Sequence, residues 1–182
     1  VLLVHGFINV GGAKMSKSLG NGVGPVDIIP HYGVEAFRYY FLRHVPTQDD
    51  GDFTWDKFEA AYNGELGNDL GNLVQRVAKM VQSYQAGVIG DAPQAEHDMG
   101  PYRQAMEGFM FDQAMDEIWR IIRTLNQYIE RVQPWQVAKN RDKDPEAETH
   151  LGEILAHACG ALLQVSDMLR PFMPQTAEKI HE

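Results

Sequence analysis

The stretch that decides the fold runs from residue 54 to residue 85 and reads TWDKFEAAYNGELGNDLGNLVQRVAKMVQSYQ. Its large apolar side chains recur at steps of four, four, four, three, four, four and three: Phe58, Tyr62, Leu66, Leu70, Leu73, Val77, Val81 and Tyr84. This spacing is typical of an amphipathic helix, because residues three or four apart share one helix face. The stretch therefore predicts one long helix, from about Thr54, whose apolar stripe packs against partner helices.

Two further helical stripes follow along the chain. A second helix is predicted from about Pro101 to Val132, with its stripe at Phe111, Ala114, Ile118, Ile121, Leu125 and Ile129. A third has its stripe at Leu151, Ile154, Ala158, Leu162, Val165 and Leu169 and ends before Pro171 and Pro174. A short last helix is expected at Thr176–His181. Long helices with short connections predict a mostly α fold, an antiparallel helical bundle.

The residues before this bundle predict a small α/β piece. Two strands are expected at Val1–Val4 and Phe7–Val10, then a turn at Gly11-Gly12 and a loop over residues 13–24. Helices at Val26–Tyr32 and Val34–Arg43 and an acidic connector at Thr47–Phe53 follow. We therefore expect two domains, residues 1–55 with the loop and residues 56–182 with the bundle.

Composition limits the function classes. The 182 residues carry a net charge of −9, so a broad basic surface for nucleic acid is excluded and any RNA contact must be local. No apolar run is long enough to cross a membrane, and the single Cys159 excludes an internal disulfide. The histidines are not closely paired, so we expect no metal site in this segment. We expect a cytoplasmic setting and, because the chain starts at Val1, a longer parent polypeptide.

The loop contains one chemically specific motif, Lys14-Met15-Ser16-Lys17-Ser18. Two ammonium groups three residues apart, together with two hydroxyls, can close around a polyphosphate. When a carboxylate attacks the α-phosphorus of ATP, negative charge grows on the departing pyrophosphate, and cations placed there lower the barrier. The alternative is an ordinary solvated loop, but a chance match to five specified residues has odds on the order of 10⁻⁴.

Three residues of the bundle are candidates for RNA contact. Asn72 and Arg76 are four apart and lie beside the apolar stripe, at the edge of the packed face. Trp135 follows Pro134 just beyond the second helix, where an indole can stack on an unpaired base. The periodicity alone favours the other interpretation, a solvated Asn and Arg beside a helix interface and a tryptophan that caps the core. Trp55, Trp119 and Cys159 are predicted to be core residues.

The motifs together resemble one family. The loop matches the KMSKS motif of class I aminoacyl-tRNA synthetases. The residues on both sides of the loop resemble the methionyl-tRNA synthetases. They are His5-Gly6-Phe7 before the loop, and Tyr32-Gly33, Arg38-Tyr39-Tyr40 and Asp50-Gly51-Asp52-Phe53 after it. In the bundle, residues 68–76, NDLGNLVQR, and residues 134–139, PWQVAK, are similar to two further stretches of that family.

The resemblance implies roles for these residues. Lys14 and Lys17 would be catalytic, and Lys14, Met15, Ser16, Lys17 and Ser18 would bind ATP, which acts with Mg²⁺ in the full enzyme. Asn72, Arg76 and Trp135 would contact the CAU anticodon of tRNA(Met). Nothing in the sequence matches the HIGH motif, which accompanies the methionine pocket in this family. The resemblance therefore implies a carboxy-terminal fragment that is inactive alone.

Two alternatives stay open at this point. A tRNA-binding or protein-interaction bundle without chemistry explains the helices and the acidity but not the KMSKS motif. A class I synthetase of neighbouring specificity, the cysteinyl enzyme above all, shares that motif but not the residues that follow it.

Overall fold

A computed structural model describes residues 2–16, 18, 20–89, 97–141 and 143–182 of the chain. Lys17, one of the two candidate catalytic lysines, and Val1 of the first expected strand lie outside the described residues. Among those described, no helix is both long and apolar enough to cross a membrane.

The amino-terminal part combines a three-stranded sheet with two helices. The elements are β1 (Ile8–Val10), β2 (Ala13–Lys14), α1 (Pro25–Tyr32), α2 (Val34–Arg43) and β3 (Gly51–Phe53). The strand order is β2-β1-β3, with β1 antiparallel to β2 and parallel to β3. The two helices lie where the sequence predicts them.

Two expectations for the strands were wrong. Residues 2–4 form no strand and are exposed, Leu2 to 88%, since β1 pairs with β2 and β3 rather than with this segment. The predicted connector Thr47–Phe53 instead contains β3, which pairs with the β1 region through Gly51 N to Phe7 O at 2.8 Å. Strand pairing between segments that are distant in sequence cannot be predicted from the polarity of either segment alone.

The long helix exists, but its middle is π-helical. α3 (Trp55–Ala61) continues directly into a π-helical segment (Tyr62–Gly71) and then into α4 (Asn72–Gln85). Thr54 caps the start by accepting a hydrogen bond from Lys57 N at 3.2 Å. A π-helix has wider turns than an α-helix, which explains why the apolar steps between Phe58 and Leu70 are all four residues long.

The predicted second helix is broken into two. α5 (Gly100–Glu107) ends at Gly108, and α6 (Phe111–Val132) begins three residues later. Phe109 between them has φ +56°, a left-handed conformation that no continuous helix allows. The apolar stripe does not reveal the break because α5 and α6 both pack into the same core.

The remaining helices complete the bundle. They are α7 (Pro134–Lys139), α8 (Pro145–Leu169) and α9 (Pro174–His181). Glu35 of α2 accepts hydrogen bonds from Gln175 N at 2.6 Å and Thr176 N at 3.0 Å, and thereby caps α9. Arg38 Nε donates to Phe172 O at 2.8 Å. These contacts join the α/β part to the far end of the chain.

The three predicted core residues differ in burial. Trp119 is 0% exposed, as predicted. Trp55 is 40% exposed and packs edge-on against Phe53, so its assignment to the core was wrong. It is the first residue of α3, where only part of the ring can reach the core. Cys159 is half-buried, and burial raises the pKa of its thiol.

Candidate functional site

The loop that carries the KMSKS motif begins as a tight hairpin. Gly11 and Gly12 both have positive φ, +59° and +77°, and form the turn between β1 and β2. Lys14 ends β2 with its side chain exposed, and its Nζ lies 4.8 Å from the centre of the Phe7 ring. This cation–π contact gives the ammonium group a resting position against an aromatic ring.

Asn21 closes the loop from its other end. Its Oδ1 accepts a hydrogen bond from Ser16 N at 2.9 Å, and its Nδ2 donates to Lys14 O at 3.3 Å. The hydroxyls of Ser16 and Ser18 lie 2.8 Å apart, and the Met15 side chain is half-buried. The described residues of the loop therefore present the Lys14 ammonium group and two hydroxyls, and the Asn21 amide holds the backbone between them.

Asp52 fixes the hairpin to the helical part. Its Oδ1 accepts from Gly12 N at 2.7 Å, and its Oδ2 accepts from Lys57 Nζ at 2.8 Å. The hydrogen bonds from Lys57 and Gly12 hold the pKa of the Asp52 carboxyl below its usual value. Asp52, which stands in the Asp50-Gly51-Asp52-Phe53 motif, and Asn21 of the loop were missed as site residues because only the fold shows what they bind.

The second candidate group lies where α4 faces α6. Arg76 donates from Nη1 to Glu130 and from Nη2 to Asn126 Oδ1 at 3.1 Å. Asn126 in turn donates to Asp69 O of the π-helical segment at 3.1 Å. Asn72 is exposed one turn before Arg76. The guanidinium is thus held in one orientation by two residues of α6 that sequence reasoning did not identify.

Trp135 lies in the first turn of α7, directly after the carboxyl end of α6. Pro134 occupies the first position of α7, and Gln133 before it has φ +47°, which turns the chain between the two helices. The indole is half-buried and packs against the core, so part of its surface is open to solvent. The structure therefore places Asn72 and Arg76 on one face of α4. Trp135 follows the carboxyl end of α6, the helix whose Asn126 and Glu130 bind Arg76.

The comparisons with known proteins agree on one family. A family model described as tRNA synthetases class I (M) matches residues 1–78, and one described as anticodon-binding domain of tRNA ligase matches residues 100–182. The methionine–tRNA ligase of Streptomyces coelicolor is 40% identical over 98% of this chain, and that of Bacillus subtilis is 37% identical over 100%. The chain belongs to the methionyl-tRNA synthetase family. It spans 35% and 28% of the length of these two relatives.

Solved structures of methionyl-tRNA synthetases have the same fold. The Mycobacterium tuberculosis enzyme in complex with methionyl-adenylate matches with a TM-score of 0.83 at 29% identity over 97% of this chain. A second structure of that enzyme, bound by methionyl-adenylate, gives a TM-score of 0.85 at 30% identity. In each case the chain covers 36% of the solved chain.

In this member of the methionyl-tRNA synthetase family, a polar cluster around Glu65 joins three elements. Glu65, in the π-helical segment, accepts a hydrogen bond from the Tyr39 hydroxyl and one from Arg43 Nε at 3.2 Å. His44 Nε2 lies 2.9 Å from the same carboxylate. Arg43 also pairs with Asp116 of α6 at 3.1 Å. The cluster therefore connects α2, the π-helical segment and α6.

The pKa of Glu65 reflects this environment. Burial by itself would raise the pKa of the carboxyl, but the hydrogen bonds from His44 and Tyr39 and the charge of Arg43 outweigh burial. Together they lower the pKa from 4.5 to about 2. Burial and the hydrogen bond to Glu65 raise the pKa of the Tyr39 phenol. The folded state therefore favours the charged form of Glu65.

Glu65→Gln is expected to lower the free energy of unfolding near neutral pH by about 2–3 kcal/mol. A carboxyl whose pKa is lower in the folded state stabilises the fold above its unfolded pKa and loses that effect as pH falls. The contribution of Glu65 is therefore complete above pH 4.5 and disappears as pH falls toward a value of about 2. Urea unfolding of both proteins over this range measures the difference.

The matched control is Glu178→Gln, which changes an exposed carboxylate of α9. It is expected to leave the unfolding free energy within about 0.5 kcal/mol of the parent. If the Glu65→Gln protein were as stable as the parent at every pH tested, the cluster would not stabilise the fold.

Proposed function

We propose that this chain supplies two parts of a methionine–tRNA ligase, which activates methionine with ATP and transfers it to tRNA(Met). Residues 1–55 form the end of the catalytic domain with the KMSKS loop, and residues 56–182 form the anticodon-binding domain. The observation that carries the proposal is the combination, in one chain, of the Lys14 hairpin with Asn72 and Arg76, which lie one turn apart on α4. The family membership supports the same reading.

The loop acts on the first half of the reaction. When the methionine carboxylate attacks the α-phosphorus of ATP, the bond to the β-phosphate oxygen breaks and pyrophosphate leaves. Lys14 and Lys17 neutralise the charge that grows on that leaving group, and the Ser16 and Ser18 hydroxyls donate hydrogen bonds to its oxygens. Met15, half-buried, anchors the loop between the two lysines.

Mg²⁺ enters this proposal as part of the substrate. The described residues bring no three side chains of His, Cys, Asp or Glu together as metal ligands, and the hydroxyls and ammonium groups of the loop suit phosphate oxygens rather than a cation. Mg²⁺ would therefore arrive bound to ATP, whose negative charge it reduces. The residues of the loop position the phosphate chain.

The chain alone is proposed to form no methionyl-adenylate. Adenylate formation needs a pocket for methionine and groups that bind the rest of ATP, and the sequence contains no HIGH motif. The loop supplies stabilisation of the leaving group only. Its contribution requires a partner domain that binds both substrates.

The bundle is proposed to read the CAU anticodon of tRNA(Met). Asn72 offers an amide that can hydrogen-bond the Watson–Crick edge of a base, and Trp135 offers an indole on which an unpaired base can stack. Arg76, held by Glu130 and Asn126, presents a charge whose direction is set before RNA arrives. Because the chain is acidic overall, affinity depends on these local contacts.

Trp135→Ala is expected to weaken binding of a CAU stem-loop by roughly 5- to 150-fold, since one base stack contributes about 1–3 kcal/mol. Fluorescence anisotropy with a labelled stem-loop measures this. The parent should prefer CAU over a GCA stem-loop, and that preference should shrink in Trp135→Ala and in Arg76→Ala.

Trp55→Ala is the matched control, because Trp55 is also partly exposed but lies at the start of α3, far along the long helix from Asn72 and Arg76. It should bind the CAU stem-loop like the parent. Equal affinity of the parent for CAU and GCA would contradict anticodon reading and favour a bundle of another function.

A further inference from the structure

A cleft of about 520 Å³ lies beside α6 and α8. Its polar lining consists of His97, Thr124, Gln127, Tyr128, Arg131 and His157, over an apolar floor at Leu125. The lining contains two imidazoles, one guanidinium, two hydroxyls and one amide. Every one of these groups can donate a hydrogen bond to an anion.

The cleft is locally basic in a chain of net charge −9. Over the described part of the chain, no carboxylate lines it. Three acids of the described residues that flank the cleft have other partners: Asp98 accepts from Gly100 N at 2.8 Å, Glu117 pairs with Arg120 at 2.7 Å, and Glu153 lies 3.7 Å from His150. Glu130, the neighbour of Arg131, binds Arg76.

The side chains of the cleft hold one another in place. The Tyr128 ring packs on the His157 ring with centroids 4.8 Å apart, and the Arg131 guanidinium lies 5.8 Å from the Tyr128 centroid. Burial, Arg120 and His157 lower the pKa of His97. Burial raises the pKa of the Tyr128 phenol, with Arg131 opposing and Glu153 adding to the effect. An anion that enters would therefore meet Tyr128, His157 and Arg131 side chains that are packed against one another.

We propose that this cleft binds a phosphate group in the backbone of the RNA that the bundle holds. The choice of RNA rests on the proposed anticodon function and on position. Arg131 lies in the last turn of α6, beside the Glu130 that orients Arg76 and just before the α7 turn that carries Trp135. A strand gripped by Trp135 and Arg76 therefore passes this end of α6.

The pH dependence follows from the two imidazoles. Only a protonated histidine is both a cation and a donor at each ring nitrogen. Phosphate binding should therefore strengthen as pH falls through the histidine range. Burial and the nearby Arg120 and His157 lower the pKa of His97 and so act against its protonation, whereas a bound phosphate would favour it. Arg131 stays charged throughout this range.

The first experiment compares Arg131→Gln with Arg123→Gln in stem-loop binding at several salt concentrations. Arg123 is an exposed arginine of the same helix that does not line the cleft. Arg131→Gln is expected to weaken binding roughly tenfold and to reduce the salt slope by about one, the signature of one lost phosphate contact. Arg123→Gln should behave like the parent.

The second experiment tests the histidines with the double variant His97→Asn, His157→Asn. The parent should bind the stem-loop more tightly at about pH 6 than at about pH 8, and the double variant should lose that gain. His150→Asn, an exposed histidine of α8 outside the lining, is the control and should keep it. Titration of inorganic phosphate, followed by the NMR signals of the His97 and His157 rings, probes the same cleft without RNA.

The outcomes separate this inference from the proposed function. If Trp135→Ala weakens RNA binding but the cleft variants keep the parent's affinity and salt slope, the cleft inference falls and anticodon reading stands. A second outcome is that inorganic phosphate shifts the His97 and His157 ring signals while the cleft variants bind RNA like the parent. That result would assign the site to a free phosphate compound and contradict its assignment to RNA. If the parent binds no stem-loop, the proposed function fails, and unmoved ring signals would overturn the cleft as a phosphate site.

Discussion

Trp119→Ala is expected to lower the free energy of unfolding by about 3–5 kcal/mol, the range for removing a fully buried large aromatic side chain. Trp119 is 0% exposed, packs on the Tyr39 ring at a centroid distance of 4.8 Å, and lies under the Arg43 guanidinium at 4.7 Å. The substitution leaves a cavity and removes the contact between α6 and α2. Denaturant unfolding followed by circular dichroism measures the change.

Trp55→Ala is the control of identical chemistry at a partly exposed position. It is expected to cost clearly less, since much of the ring is already in water and little cavity is created. Equal losses in the two variants would mean that burial of Trp119 is not what holds the two parts of the chain together.

Lys14→Ala is expected to lower the rate of adenylate formation by about 10²–10³-fold, the usual cost of removing one group that stabilises transition-state charge. The assay is ATP–pyrophosphate exchange in a chimaera in which this chain replaces the matching region of the Streptomyces coelicolor ligase. The apparent KM for methionine should change little, because the lysine acts on the leaving group. Lys17→Ala is expected to lose at least as much.

Lys143→Ala, at an exposed lysine between α7 and α8, should leave the exchange rate unchanged. The isolated chain serves as a further arm and should give no exchange. Full activity of the Lys14→Ala chimaera would remove the loop from the mechanism, and exchange by the isolated chain would show that it needs no partner domain.

Helix positions could be predicted from the sequence because apolar residues at helical spacing indicate the buried face of a helix. The stripes from Phe58 to Tyr84 and from Leu151 to Leu169 lie on helices as predicted. The break at Phe109 was not accessible, since it depends on a backbone conformation rather than on polarity. Strand β3 was missed for a related reason, because its partner β1 lies about forty residues earlier in the chain.

The candidate site divides in the same way. Lys14, Asn72, Arg76 and Trp135 could be selected because their residue types and spacing suggest chemistry. Their supporting contacts could not, since Asn126 meets Arg76 only through packing of two helices separated by fifty residues in sequence. Residues that bind a ligand can be suggested by a motif, whereas residues that hold them in place depend on the completed fold.

The π-helical segment determines the angle, about the helix axis, between side chains at the two ends of the long helix. One end carries Lys57, which holds Asp52 and through it the hairpin turn; the other carries Asn72 and Arg76. In a helix each residue turns the chain by about 100°. Loss of a single residue between 62 and 71 would therefore swing Arg76 out of reach of Glu130 while Lys57 stayed in place. The position of Arg76 relative to Lys57 therefore depends on the number of residues in this segment.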